Sequence, residues 1–302
     1  MKAPETVPPR CGWRVRLAFV AVLLVVAGSG ASCPGVLRGY QVGIMPLPRT
    51  LPANPTREQI IAAVEDNTGR VRSYMASQAV LSVPGVPRLS AQVASEPPRR
   101  FRLRAQTSLT GNELDLGSND DLFWLWIRRH EPPIMLFCRH DRYEQSSARR
   151  LLPIRADWMP ELLGLVRFGP NDRHEGPFTT ADGRLEIRST IDSPDGPLLK
   201  STLLHATTGL VEEQHLFTSA GERLASVRTS RHRVDPTSGA ALPRLVEVSW
   251  PASGVEFTLE LTSLVINAAT TDPGQLWQMP AYEGYEPVDL ADPAVTITPV
   301  GG

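Results

Sequence analysis

The stretch RRFRLRAQTSL (99–109) alternates residue by residue. Phe101, Leu103, Ala105, Thr107 and Leu109 fall on one side, and Arg100, Arg102, Arg104, Gln106 and Ser108 on the other. A helix would scatter these residues around its axis. Period two instead commits the segment to a strand with one buried and one wet face. The same pattern returns in RLEIRSTI, with Leu185, Ile187 and Ile191 against Glu186, Arg188 and Thr190, and in LVEVSW, with Val246, Val248 and Trp250 against Glu247 and Ser249. It returns again in GVEFTLEL, where Val255, Phe257, Leu259 and Leu261 oppose Glu256, Thr258 and Glu260. Turn chemistry separates these runs at Pro84-Gly85, Thr110-Gly111-Asn112, Asp182-Gly183, Pro194-Asp195-Gly196, Ala220-Gly221 and Ser253-Gly254. Strands joined by short turns make an antiparallel meander, and about 10–12 of them must curl or close to hide one face.

Two segments break the alternation. In DDLFWLWIRR, Leu122, Trp124 and Trp126 fall on one face and Phe123, Leu125 and Ile127 on the other, and IMLFC (134–138) is also apolar throughout. A strand apolar on both faces needs cover on both. Two helical patterns can supply it. One covers 55–75, with Asn54 as N-cap, Pro55 at the first helical position, and Ile60, Ile61, Val64, Thr68, Val71 and Met75 at helical spacing. The other covers 156–168, with Trp158, Leu162, Leu165 and Val166 on one side. The fold class predicted is mainly β (α+β): a curled antiparallel meander forming an incomplete barrel, with covering helices at about 55–75 and 156–168.

Charge excludes one class of function. The formal net charge is -1, and removing residues 1–32 leaves 27 basic against 31 acidic residues, about -4. Such a body has no basic face for nucleic acid. Of the three cysteines, Cys11, Cys33 and Cys138, none forms a CxxC, and no Cys/His spacing suits zinc, so neither a metal nor another cofactor is expected. Cys138 reads as a small buried apolar residue. His130-Glu131, His140-Asp141 and His174-Glu175 lack the spacing of a metal or acid–base motif, and no GxSxG or Walker A sequence occurs. No catalytic residue is expected.

The N-terminus reads as a targeting segment. Residues 1–16 are basic, and Leu17–Ala27 is an eleven-residue apolar core, the length of a signal-peptide h-region and short of the ~20 residues a spanning helix needs. Two cleavages compete. Ser29-Gly30-Ala31 offers a small-x-small site. Gly30-Ala31-Ser32-Cys33 resembles a bacterial lipobox, with Gly30 where an aliphatic residue is usual, and would leave Cys33 as a lipid-bearing first residue. The segment after it, with Pro34, Pro46, Pro48 and Pro52, reads as a semi-extended tether. The expected organisation is a signal peptide over 1–32, a Pro-rich tether over 33–53, a half-barrel domain over 54–290 and a disordered tail over 291–302.

A basic leader, an opening helix and a curled meander interrupted by a mid-chain helix resemble the outer-membrane lipoprotein carrier and receptor superfamily, the LolA/LolB-like half-barrels. The hairpin LGSNDDLFWLWIRRHEPPIMLFCRHDRY (116–143) carries part of the likeness. The closing segment DPGQLWQMPAYEGYEPVDL (272–290), with Trp277, carries the rest. The resemblance implies a lipid-anchored bacterial envelope protein facing the periplasm, at the outer rather than the inner membrane, that binds lipid or lipoprotein acyl chains in an apolar cavity. A soluble carrier protein would be a partner. The candidate lining residues are the apolar strand positions Phe101, Leu103, Trp124, Trp126, Val246, Val248, Trp250, Phe257 and Leu259. Two other readings stay open: a sensory or structural interaction module on the same fold, and an envelope hydrolase.

Overall fold

The computed structural model describes residues 46–146, 149, 158–251, 254–268 and 272–295. The first helix is α1 (Arg57–Gly69), which starts two residues later than the Asn54-Pro55 signal suggests. Its cap is Thr56, in a reciprocal capping box. The Thr56 hydroxyl accepts the Gln59 N–H at 3.3 Å, and the Gln59 side-chain oxygen accepts the Thr56 N–H at 2.9 Å. The buried stripe is Ile60, Val64 and Thr68. The helix does not run to 75. It stops at Gly69, and Tyr74–Ser82 forms strand β1, in which Tyr74, Ala76, Ala79 and Leu81 are the buried residues. Val71 and Met75 fit a helical stripe by spacing, but Gly69 weakens the helix there and the following backbone finds sheet partners on both sides.

β2 (Leu89–Glu96), β3 (Arg100–Thr107), β4 (Gly111–Ser118), β5 (Leu122–Ile127) and β6 (Ile134–Arg139) follow β1 as a plain meander. A 3-10 turn (His140–Gln145) and a short helix α2 (Met159–Leu162) lead into a second meander. It comprises β7 (Arg173–Thr179), β8 (Leu185–Ile191), β9 (Leu198–Leu204), β10 (Val211–Phe217) and β11 (Arg223–Ser230). β12 (Arg233–Val234) and β13 (Ala241–Leu242) make a separate two-stranded hairpin, and β14 (Leu245–Trp250) and β15 (Val255–Ile266) close the series. After helix α3 (Pro273–Leu276), β16 (Glu286–Asp289) adds to β6 in parallel.

The result is one fourteen-stranded sheet, ordered β16-β6-β5-β4-β3-β2-β1-β15-β14-β11-β10-β9-β8-β7. It is longer than the sequence pattern suggests, because short strands such as β16 carry little periodicity of their own. The two meanders meet where β1 pairs with β15, from Tyr74 opposite Ile266 to Ser82 opposite Thr258. The ends, β7 and β16, do not pair with each other, so the barrel is incomplete. β7 has a register break between Glu175 and Phe178, around Pro177.

The inner face buries the core. Phe101, Leu103 and Ala105 of β3 join Leu116, Phe123, Leu136 and Cys138 from neighbouring strands, and Val246, Val248, Trp250, Leu259 and Leu261 from β14 and β15. Alternation fails at Leu109, which sits in the β3–β4 turn and is 94% exposed. A second cluster forms where Ile60 and Val64 of α1 meet Leu185, Ile187, Leu204 and Val211 of β8–β10. Leu51 belongs to it, and the Thr50 and Leu51 amides both donate to Thr207 O at 3.1 Å, so packing begins upstream of residue 54. At the other end Leu290 is buried and Val295 packs on the main core.

The helix expected over 156–168 is four residues long within the described residues; 150–157 lie outside them. Its termination is local. Pro160 O accepts from both Leu163 and Leu165, and Gly164 at φ 83 turns the chain out of the helix. Leu165, Val166 and Phe168 are nevertheless buried, as extended chain laid across the two cores. A Cβ at Gly164 would come within 2.7 Å of Pro243 Cδ, whereas one at Gly85, also at positive φ, meets nothing within 4 Å. Gly85→Ala should cost about 1 kcal/mol for its backbone conformation alone. Gly164→Ala should cost about 1–3 kcal/mol more, because packed chain must move. Urea unfolding of the two variants side by side measures the difference, and equal losses would show that the Pro243 contact is unimportant.

Candidate functional site

The inner face is apolar from β3 across to β11, and its distal part carries a patch of polar side chains. Register places Thr202 of β9 opposite Gln214 of β10, and Lys200 opposite Leu216; Gln214 in turn faces Val227 of β11. Leu216, Ala225, Val227, Val248 and Trp250 make an apolar floor beside this patch, and α2 lies over it. Between α2 and the floor is a cleft of about 50 Å³, bounded by Trp158, Leu162, Gln214, Leu216, Val227 and Trp250. It is a third of the ~150 Å³ that an engineered apolar cavity uses to hold benzene. The interior is therefore packed rather than tunnelled.

A much larger cavity, about 670 Å³, opens at the end of this cleft, between α1, the β2–β3 turn and the chain after α2. That volume lies within the ~300–1,000 Å³ usual for small-molecule sites. Its lining mixes apolar and polar groups, among them Pro98, Phe168, Ile191, Glu65, Arg167 and Asp172. Trp158, Glu161 and Lys200 line both spaces. Lys200 Nζ is paired with Glu161 Oε2, and the two side chains are only 11% and 12% exposed. The ion pair thus fastens the short helix to the sheet at the junction of cleft and cavity.

Seven of the nine residues expected to line a cavity come together on this face. Phe101, Leu103, Val246, Val248, Trp250 and Leu259 are buried in one core, and Phe257 packs against it, with its ring edge-on to Trp250 at 5.9 Å. Trp124 and Trp126 lie on the opposite, outer face, where register aligns them with Gly117 and Asp115. There they are covered by the closing segment. The Trp126 ring stacks on Tyr282 at 3.9 Å and meets Tyr285 edge-on at 5.3 Å. Cys33 lies outside the described residues.

The outer cover is organised by one carboxylate. Asp115 is fully buried and accepts from Arg102 Nε at 3.1 Å, Arg102 Nη2 at 2.7 Å, Trp124 Nε1 at 3.1 Å and Tyr282 OH at 2.8 Å. The other arm of Arg102 donates to Gln275 O and Leu276 O at 3.1 and 2.9 Å, at the end of α3. Burial, and then the charge and hydrogen bond of Asp115, push the Tyr282 phenol well above its ordinary value, so it remains a donor. Gly117 makes room for the Trp124 ring, which a Cβ there would meet at 2.1 Å. Strand alternation assigns Arg102 to the wet face; it is 7% exposed because a segment about 170 residues away in sequence covers it.

Other candidates for chemistry stay apart. His174 bridges Ser189 Oγ and Gly169 O, His140 is bonded to Asn119 O, and His215 pairs with Glu213 on the outer face. Among the described residues no group of three or more His, Cys, Asp or Glu could hold a metal ion. Lys200, Glu161, Thr202 and Gln214 were not singled out by sequence. LLKSTLL (198–204) places polar and apolar residues on both faces, so its period carries no signal.

The chain's comparisons with known proteins are ones of shape. No protein-family model matches it, and no curated protein matches it. The LolA superfamily is among the folds it resembles. A putative outer membrane lipoprotein-sorting protein domain from Vibrio parahaemolyticus aligns at TM-score 0.49 and 8% identity, over 74% of this chain and 100% of that one. A LolA superfamily protein from Nitrosomonas europaea aligns at TM-score 0.44 and 12% identity, over 72% and 97%. A DUF1329 family protein from Desulfovibrio piger aligns at TM-score 0.47 and 12% identity, over 72% and 99%. Among the described residues no helix is long and apolar enough to cross a membrane.

Asp115→Ala strands a buried guanidinium and should cost about 3–5 kcal/mol in urea unfolding. Tyr282→Phe removes one hydrogen bond to a charged acceptor and should cost about 1.5–3 kcal/mol. A loss below 1 kcal/mol for Asp115→Ala would show that the closing segment is held by ring packing alone.

Proposed function

We propose that this protein is a lipid-anchored bacterial envelope protein that holds lipid or lipoprotein acyl chains against the inner face of its half-barrel. The role fits lipoprotein localisation or lipid transfer, with exchange to a soluble carrier. One observation carries the reading: a continuous apolar inner face, covered at its distal end by a four-residue helix, beside a cavity of about 670 Å³. An acyl chain needs little more than dry apolar wall, each buried methylene contributing ~0.8 kcal/mol. The 50 Å³ cleft is the point of entry, and a longer chain takes its place between α2 and the sheet by displacing the helix. α2 is suited to that movement, being one turn long; among the described residues the Glu161–Lys200 ion pair ties it to the sheet, together with the packing of Leu162 and Met159.

Cys33 is the proposed site of anchoring. Cys33→Ser should abolish labelling by a radioactive fatty acid and release the chain from the membrane fraction; labelling that persists in the variant would rule Cys33 out. The packed interior favours a second reading, in which the same sheet serves as an interaction module and no ligand enters. A chain-length series separates the two. Affinity for saturated acyl probes, measured by calorimetry on the whole chain, should rise about fourfold per added methylene. No binding, or a flat dependence on length, would leave the interaction module standing.

A further inference from the structure

The floor of the cleft carries polar groups that packing does not require. Behind that floor, across the β9–β10 pairing from Gln214, the Thr202 hydroxyl is fully buried and has no hydrogen-bond partner among the described residues. Gln214, 7% exposed, lines the cleft and has no side-chain hydrogen bond among the described residues. Buried polar groups left unpaired are costly. Beside them stands Lys200, one of only two lysines among 31 basic residues; the other is Lys2. The remaining cations are arginines, whose guanidinium suits buried pairs better than a strongly hydrated ammonium does. A buried ion pair of this kind seldom repays the desolvation of its two charges.

These groups share a chemistry. The Lys200 ammonium can only donate, and the Gln214 amide and Thr202 hydroxyl can each donate beside it. Together they suit a group made of acceptor oxygens. We infer that the inner-face site takes an anionic amphiphile: its carboxylate or phosphate head pairs with Lys200, next to Gln214 and Thr202, and its acyl tail lies along Leu216, Val227 and Trp250. This inference rests on the acyl-binding reading above. Glu161 holds the position of that head group on Lys200, so the head and the α2 carboxylate compete for one ammonium. Binding of the head releases α2 from the sheet, which couples recognition of charge to opening of the apolar wall. Arg167, which has no ion pair among the described residues, lines the adjoining cavity and adds a second cation for a larger head.

The test compares four twelve-carbon probes on the whole chain by calorimetry: dodecanoate, dodecyl phosphate, monododecanoylglycerol and dodecyltrimethylammonium. The two anions should bind about tenfold or more tightly than the neutral ester, and the cation weakest. Preference between the anions assigns the source, a free fatty acid for the carboxylate and a phospholipid-type head for the phosphate. Lys200→Met should bring the anion-to-neutral ratio to about one. Glu161→Gln should strengthen anion binding, since the competitor is gone, whereas a purely structural pair would weaken it in both variants. A second readout needs no variant. Reductive methylation with carbon-13 formaldehyde keeps the charge of Lys200, and its NMR signal should shift saturably with dodecanoate or dodecyl phosphate but not with the neutral ester. Equal binding of anionic and neutral probes, or an unmoved Lys200 signal, overturns this inference alone. Failure of every probe to bind overturns the acyl-binding reading with it.

Discussion

The pairing of β1 with β15 is the constraint on which the rest of the molecule depends. Each meander could form from local turns, yet neither alone has enough curved surface to bury its apolar face. β15 runs for twelve residues and bonds to β1 on one side and β14 on the other. That single seam makes Phe101 and Leu103 of the first meander part of the same core as Val246 and Trp250 of the second. It joins residues almost 200 positions apart, such as Tyr74 and Ile266. Such long-range contacts repay their loop-closure entropy late, so slow folding is characteristic of this topology.

The two faces solve different problems. The inner face is mostly aliphatic and aromatic, with Lys200 and Gln214 under α2. The outer face of the second meander is an ordinary wet surface of charge ladders. There Glu213 is engaged by Arg184 and Arg228, and Arg231 by Glu260. Burial works to raise the Glu213 carboxyl, and the Arg184 and Arg228 guanidiniums outweigh it, holding the group below the usual carboxylate range. The outer face of the first meander is neither. Trp124 and Trp126 would be exposed there, and the chain returns on itself to cover Trp126 with Tyr282 and Tyr285 and to tie Tyr282 to Trp124 through Asp115. Asp115 gives that cover its register, since ring stacking alone is tolerant of sliding and a carboxylate with four donors is not.

Much of this was legible in the sequence because period two is a local property. The faces of β3, β8, β14 and β15 follow directly from it, as does the need for cover on both sides of LFWLWI. Helix extents were less legible. Val71 and Met75 continue the spacing of Ile60 and Val64, and Gly69 together with sheet partners from β2 and β15 decides against a longer helix. LLGLVRF reads as helix by composition, while Gly164 in a left-handed conformation ends it after one turn. The candidate site was half visible. Its apolar wall belongs to the alternating strands; seven of the nine residues read as lining share the inner-face core, and Trp250 among them borders the cleft. Its polar patch was hidden, because Lys200, Thr202 and Gln214 acquire meaning only when β9, β10 and α2 are brought together.

The unclosed ends of the sheet have a consequence of their own. A fourteen-stranded sheet that never closes presents two free edges, and a long straight edge invites another chain to add to it. Neither edge here is of that kind. On β7, Pro177 lacks an amide proton and the break between Glu175 and Phe178 kinks the row of donors. At the opposite end β16 is four residues long and includes Pro287. Openness is thus tolerated without making the molecule a template for its own fibrils.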